Sequence, residues 1–320
     1  MLRNTAAIGA DIGRHSIRIA VVTYGGTLVA LNSHDLPEHQ TTDLVISTLT
    51  GAISTIRKMV AEQGINPVSV GISAKGFIDH SKGVIIGPDQ GIKGWKNITL
   101  AKLIGKASGL PVFVENDANL MTIAEHRFGT ARGYNNLVFV AMRTGIGGGL
   151  IINGKLYRGV NNAGGEIGQM IINFTNGLSD KGIRGSYEHF ASAAALVRRY
   201  KEIAGSKADV HRDVTTGREV FEMSYRKIPA AVKAVKENAR MAGIGLANLI
   251  SIFAPEIIVL GGGLSQAGES YLNMIRKSAF DNSLENCKAS VKIEKAGLGI
   301  NAALLGSAYY SMVRLAGKTI

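Results

Sequence analysis

The chain has 320 residues, enough for two domains and a substantial core, and its 46% hydrophobic and 19% charged residues exclude a disordered protein. The 40 glycines against 6 prolines supply many tight backbone positions, as ligand-cradling loops require, and the single Cys287 excludes a disulfide framework within the chain. Its net charge of +12 is scattered, and the densest basic group (Arg226, Lys227, Lys233, Lys236, Arg240) reads as a solvated helix face, so the field suits phosphorylated small molecules better than nucleic acid.

In chain order, Ala7–Gly13 and Ile17–Val22 read as two strands joined through Gly13-Arg14-His15-Ser16, a connection short enough for a hairpin. A third run, Leu28-Val29-Ala30, follows the turn at Tyr24–Thr27. Helical periodicity spans Asp43–Gln63 and stops at Gly64, Val68–Ser73 is a buried strand entering the loop Ala74–Phe77, and Pro88–Trp95 reads as irregular and ligand-accessible. Leu100–Ser108 is a helix stopped by Gly109 and Pro111.

At the centre, Val112-Phe113-Val114 is an apolar run that ends in Glu115-Asn116-Asp117-Ala118-Asn119 and passes into a helix at Leu120–Glu125. Such strand ends feed polar groups to the ligand side of an α/β sheet. Asp117, at the junction, can cap the helix or act as a general base toward a substrate hydroxyl. Beyond it, Asn136–Met142, the glycine-rich turn Arg143–Gly149 and the return strand Leu150–Ile152 echo the first hairpin, which implies two similar halves facing across a cleft. The polar stretch Asn161–Glu188 reads as loop, and helices are expected at about 189–203, 230–253 and 301–315. Between the last two, Glu256–Leu260 is a strand entering Gly261-Gly262-Gly263.

The run Gly145–Gly149 has few side chains to keep its backbone amides from an anion, as a phosphate nest requires, although a tight turn also uses glycine. It is neither a Rossmann fingerprint nor a P-loop, and Gly317-Lys318-Thr319 is no P-loop either, since Met312 stands where glycine is needed. Asp11 at the first hairpin tip could hold Mg²⁺ or its water, or serve only as a turn residue. Asn116, Asp117, Glu166 and Glu188 together offer the amides and carboxylates that a polyol binds through its hydroxyls.

Taken in order, Asp11-Ile12-Gly13, Glu115–Asn119, Thr144–Gly149, Ala163–Gly168, Thr216–Phe221 and Val259–Gly263 resemble the ROK family of sugar kinases and related repressors over nearly the whole chain. The resemblance implies an α/β fold of the actin-like, ribonuclease-H type, with two domains and an inter-domain cleft. The expected division is residues 1–118, completed by the C-terminal helix at about 301–320, and residues 119–300 with the nucleotide site. It implies Asp117 as catalytic base and Gly76, Asn116, Glu166 and Glu188 as sugar ligands. Asp11, Gly13, Thr144 and Gly145 would face phosphate, and Gly261, Gly262 and Gly263 would face adenosine.

Three departures stand out. Gln169 replaces the histidine that usually follows Gly-Glu-Ile-Gly, and Leu178–Tyr187 contains no cysteine, so no zinc site is expected; Gln169 can still meet a sugar hydroxyl. Arg14 and His15 stand where the first phosphate loop usually has glycine and a hydroxyl residue, and Arg143 stands where the second usually has glycine. These arginines could clamp phosphates or block them. The expectation is an ATP- and Mg²⁺-dependent kinase of a hexose or N-acylhexosamine, acting at the 6-hydroxyl by resemblance, and a homodimer. The alternative is a non-catalytic sugar-binding protein. Family repressors carry a helix-turn-helix domain before the first hairpin, and only residues 1–10 precede Asp11, so a regulator is not expected. The start lacks a signal-peptide core, and the apolar stretch Ile244–Leu260 is interrupted by Asn248, Pro255 and Glu256, so a cytoplasmic protein is expected.

Overall fold

The computed structural model describes residues 5–87, 91–174, 183–205, 214–318 and 320. The chain forms two compact units, Met1–Gly133 with Ile151–Gly164 and Leu298–Ile320, and Tyr134–Leu150 with Gly165–Gly297. The first unit therefore runs past the expected boundary at 118. It takes in the helix Asp117–Phe128, against which the C-terminal helix Ala302–Leu315 packs.

In the first unit the sheet order is Leu28–Asp35, Ser16–Thr23, Ala6–Ile12, Val70–Ala74, Val112–Asn116. The first three strands are antiparallel and the last two run parallel to Ala6–Ile12. The expected hairpin closes as the spacing requires, with Gly13 N donating to Ser16 O at 2.9 Å. The third strand reaches Asp35, well beyond Ala30, because it pairs with Ser16–Val22.

The long helix Thr42–Ala61 begins at Thr41, whose side chain accepts from Leu44 N, and buries Val45, Leu49, Ile53, Ile56 and Val60 in the core of this unit. It is long and apolar enough to cross a bilayer, but its apolar stripe is used against the sheet. Helix Leu100–Ser108 ends at Gly109 with φ 69°, the left-handed cap that glycine takes without strain. Of the irregular stretch Pro88–Trp95, residues 88–90 lie outside the described residues, and Ile92–Lys93 pairs in parallel with Gln40–Thr41.

The helix Ala302–Leu315 is buried along nearly its whole length and lies on the strands Ala6–Ile12 and Val70–Ala74. Two glycines permit this approach. A Cβ on Gly9 would run into the Leu304 carbonyl, and one on Gly71 into the Ser307 carbonyl. Ser307 Oγ and Ser311 Oγ each find partners within the helix, and Ser311 also meets Ser69 Oγ at 2.9 Å, so these buried hydroxyls are satisfied.

The second sheet has the order Lys155–Tyr157, Ile146–Ile152, Leu137–Met142, Ile257–Gly261, Lys292–Lys295, the same winding as the first, with the last two strands parallel to Leu137–Met142. The repeat expected from two hairpins thus extends to whole sheets. The glycine run differs from expectation. Only Arg143-Thr144-Gly145 turns, and Ile146–Gly149 already belongs to a strand. Gly148 is needed for packing, since a Cβ there would overlap Ile167 and lie 2.9 Å from Gly165 O.

The segment expected as a single helix over 189–203 is two, Tyr187–Ala191 and Ala193–Ala204. Ser192 is extended (φ −76°, ψ 170°) and caps the second by accepting from Ala195 N, which breaks the run. Loop 161–188 contains 3₁₀ turns at Val160–Asn162 and Ile167–Gln169. Helix Gly217–Tyr225 opens on a capping box between Thr216 and Glu219. Helix Pro229–Phe253 starts after Arg226 and Lys227, so only Lys233, Lys236 and Arg240 of the basic group lie on it, all exposed. Helix Glu269–Asp281 packs against it.

Candidate active site

In the first unit, Gly76, Asn116 and Asp117 come together at the end of strand Val112–Asn116. Asn116 is the N-cap of helix Asp117–Phe128, its Oδ1 accepting from Ala118 N (2.9 Å) and Asn119 N (3.3 Å). Its Nδ2 donates to Gly76 O at 3.3 Å, and Gly76 takes φ 94°, which only glycine adopts readily. The capping role open to Asp117 therefore falls to Asn116. Asp117 stands in the first helical turn, partly exposed, with Oδ1 accepting from Ala118 N at 2.9 Å. The helix N-terminus favours a charged carboxylate there.

Asp11 lies two strands away on the same sheet. The parallel registers align Asp11 with Ser73 and Ser73 with Glu115, so the three side chains share one face. Ser73 Oγ donates to Asp11 Oδ1 at 2.6 Å and fixes a carboxylate that is only partly buried. A hard oxygen donor of this kind fits magnesium. Gly13 turns the chain just beyond, and Arg14 and His15 at the tip are exposed.

In the second unit the turn Arg143–Gly145 is held from three sides. Arg143 O and Thr144 O accept from Ala193 N (2.9 Å) and Ala194 N (3.3 Å) at the start of helix Ala193–Ala204. Glu188 Oε2 accepts from Ile146 N at 2.8 Å and occupies the place where a Cβ of Gly145 would go. Gly262, with φ 86°, packs so close that a Cβ would clash with Met142 O and lie 3.0 Å from Arg143 Cγ. Thr144, Gly145, Glu188, Gly261 and Gly262 are thus one cluster, with Gly263 exposed at its edge.

Glu166 precedes the 3₁₀ turn Ile167–Gln169 and Gln169 ends it, with Gln169 N donating to Glu166 O at 3.0 Å, and Gly168 packs against Ile146 O and Glu188 Cβ. Glu166 is exposed and Gln169 half-buried. Residues 178–182 of the cysteine-free stretch lie outside the described residues. Among the described residues no group of three His, Cys, Asp or Glu side chains is placed to hold a metal ion.

Three contributors to this geometry escaped the sequence reading: Ser73, Glu115 as a functional group, and Arg158, whose Nε donates to Glu115 Oε2 at 2.8 Å. Glu115 carried a signal, because a carboxylate inside an apolar strand must find partners. Arg158 carried none.

A family model for the ROK family matches residues 7–312. The chain belongs to the ROK family. Its relatives in that family include a glucokinase from Streptomyces coelicolor, 33% identical over 94% of this chain and 96% of the relative. A xylose repressor from Bacillus spizizenii is 28% identical over 94% of this chain and 75% of the repressor. Among solved ROK structures, a hexokinase from Thermus thermophilus superimposes with a TM-score of 0.82 at 29% identity, covering 98% of this chain and 100% of that one. A glucokinase from Streptomyces griseus, in complex with glucose and AMPPNP, gives 0.81 at 31% identity, with 96% and 99% covered. The fold is accordingly the two-domain α/β fold of actin-like, ribonuclease-H type shared by ROK sugar kinases.

Proposed function

We propose that this ROK protein is an ATP-dependent sugar kinase that transfers the γ-phosphoryl group to a hydroxyl of a hexose or N-acylhexosamine, the 6-hydroxyl in the first instance. The observation that carries the reading is the division of labour at the strand–helix junction. Asn116 takes the cap, and Asp117 is presented beside it as a carboxylate at a helix N-terminus. The kinase relatives in the family support it.

Asp117 orients the sugar hydroxyl and accepts its proton as the oxygen attacks phosphorus and the bond to ADP breaks. Gly76, Asn116, Glu166, Gln169 and Glu188 offer acceptors and donors to the other hydroxyls. The turn Arg143–Gly145 and the amides around Gly13 meet the phosphates, and Gly261–Gly263 lie against the adenosine. Asp11 would hold magnesium directly or through water, and the ion when bound neutralises phosphate charge. Most of the acceleration in such a reaction comes from positioning and charge stabilisation, which the anchoring of the second turn serves.

A coupled ADP-release assay across hexoses and N-acetylhexosamines tests the reading. Saturable turnover with one of them is expected. A protein that binds a sugar but turns over none belongs to the alternative, a non-catalytic sugar-binding protein. In the same reading the protein is a cytoplasmic homodimer without structural zinc, which light scattering and elemental analysis check.

A further inference from the structure

Glu115 is 1% exposed, yet its carboxylate is fully engaged. Oε1 accepts from Asn116 N at 2.8 Å and from Asn119 Nδ2 at 3.1 Å, and Oε2 accepts from Arg158 Nε at 2.8 Å. The first two bonds bracket Asp117, one anchored just before it and the other two residues after it. Rotation of the first helical turn, which would re-aim Asp117, breaks both.

The third bond fixes Glu115 from outside the strand. Arg158 is itself held. Its carbonyl accepts from Gly164 N at 2.7 Å, closing a turn in which Gly159 and Gly164 lie too close for side chains. Its guanidinium lies over the Tyr310 ring at 5.9 Å. Tyr310 Oη accepts from Arg314 at 3.1 Å, and Arg314 also meets His80 Nδ1 at 2.9 Å and lies over Phe113 at 5.8 Å. The helix Ala302–Leu315 and the turn after Lys155–Tyr157 thus clamp the buried carboxylate.

Resting on the kinase reading above, we infer that Glu115 and Arg158 are positioning residues that aim Asp117 at the sugar hydroxyl. A buried ion pair alone is weak evidence for stability, because burying both charges costs about as much as their attraction returns. Here the pair has a geometric consequence. Displacements on the order of 1 Å at a reacting group cost up to about 10²-fold in rate.

The test is steady-state kinetics of Arg158→Met, Arg158→Lys and Glu115→Gln/Arg158→Met, with active-site concentration taken from calorimetric sugar binding. Arg158→Met should lower kcat roughly 10–100-fold while the KM values for sugar and ATP stay within about twofold. Arg158→Lys keeps a cation on the same carboxylate and should recover most of the loss. Arg158→Met leaves an uncompensated buried charge and risks misfolding. The double variant removes that charge and should fold, bind sugar as the parent does, and still show kcat lowered at least about tenfold. Parental kcat in a folded double variant, or a loss that Arg158→Lys does not recover, overturns the inference alone. A parent that turns over no sugar overturns the kinase reading and this inference with it.

Discussion

Glu188 and Ile146 are joined by a 2.8 Å hydrogen bond from the Ile146 amide to Glu188 Oε2. A residue expected only as a sugar ligand is thus a strut of the turn Arg143–Gly145, the proposed second phosphate loop, and its oxygen fills the space that Gly145 leaves by lacking a side chain. Glu188→Ala should therefore weaken both substrates, where a sugar ligand alone would affect one. The lost charged acceptor should cost about 1–3 kcal/mol of sugar binding and raise the KM for ATP as well. Glu188→Gln keeps an acceptor on Ile146 N and should retain ATP affinity within a few fold. Calorimetry with the sugar and KM values for ATP check both arms.

Gly71 sets how closely the helix Ala302–Leu315 approaches the first sheet. A Cβ there would overlap the Ser307 carbonyl, and neither backbone can yield without moving a buried helix. Gly71→Ala should destabilise the protein by about 3 kcal/mol or more, an overpacking effect at the upper end of its range. Gly51→Ala, with nothing within 4 Å of the new atom, serves as the control and should be neutral or slightly stabilising in a helix. Urea unfolding of the two variants reads this out.

Much of the fold was legible because its signals are local. The short hairpin connection at Gly13–Ser16, the stop at Gly109 and the polar end of Val112–Asn116 each specify structure within a few residues. The site was legible only as a set of candidates. Gly145–Gly149 read as one loop because glycine serves turns and close packing alike, and only the place of Ile167 against Gly148 separates the two uses. The break at Ser192 is a cap hidden in a run of good helix formers. The pairing of Glu115 with Arg158 joins residues 43 apart in sequence, and Arg158, one basic residue among many, bears no local mark of it. Asn116 as the cap in place of Asp117 turned on which of two adjacent polar residues is extended, which neither residue type dictates.

His80 offers a pH-dependent readout of the cluster behind Glu115. Burial, and then the nearby Arg158, hold its imidazole below the ordinary value of 6.5; Arg314 acts the same way, while Glu115 and Asp79 oppose them. The unfolded chain therefore takes up the proton first. The contribution of His80 is intact above about pH 6.5 and is lost as pH falls below that value toward the lower folded one. His80→Asn should flatten the fall of Tm between about pH 7 and about pH 5 relative to the parent. Equal slopes in thermal melts of the two proteins would remove His80 from the acid sensitivity.

The proposed base, Asp117, and the arginine of the second turn can be weighed in one kinetic series. Asp117→Asn keeps the size of the side chain and an oxygen able to accept from Ala118 N, as Asp117 Oδ1 does now at 2.9 Å. Sugar affinity should stay within a few fold, while loss of the proton acceptor lowers kcat by roughly 10²–10⁴-fold. Arg143 is a different case, because its stem lies beside Gly262 and its main chain is anchored by Ala193, so its guanidinium starts from a fixed point next to the proposed phosphate site. Arg143→Gly should raise the KM for ATP about tenfold, the size of one charge-assisted hydrogen bond, with kcat less affected. A lower KM in that variant would instead mean that the side chain obstructs the nucleotide. A parent that binds sugar but no ATP, and that stays inert as Arg14→Gly/Arg143→Gly, would exclude the kinase and leave the sugar-binding protein, because neither the base nor the space for the donor would then be limiting.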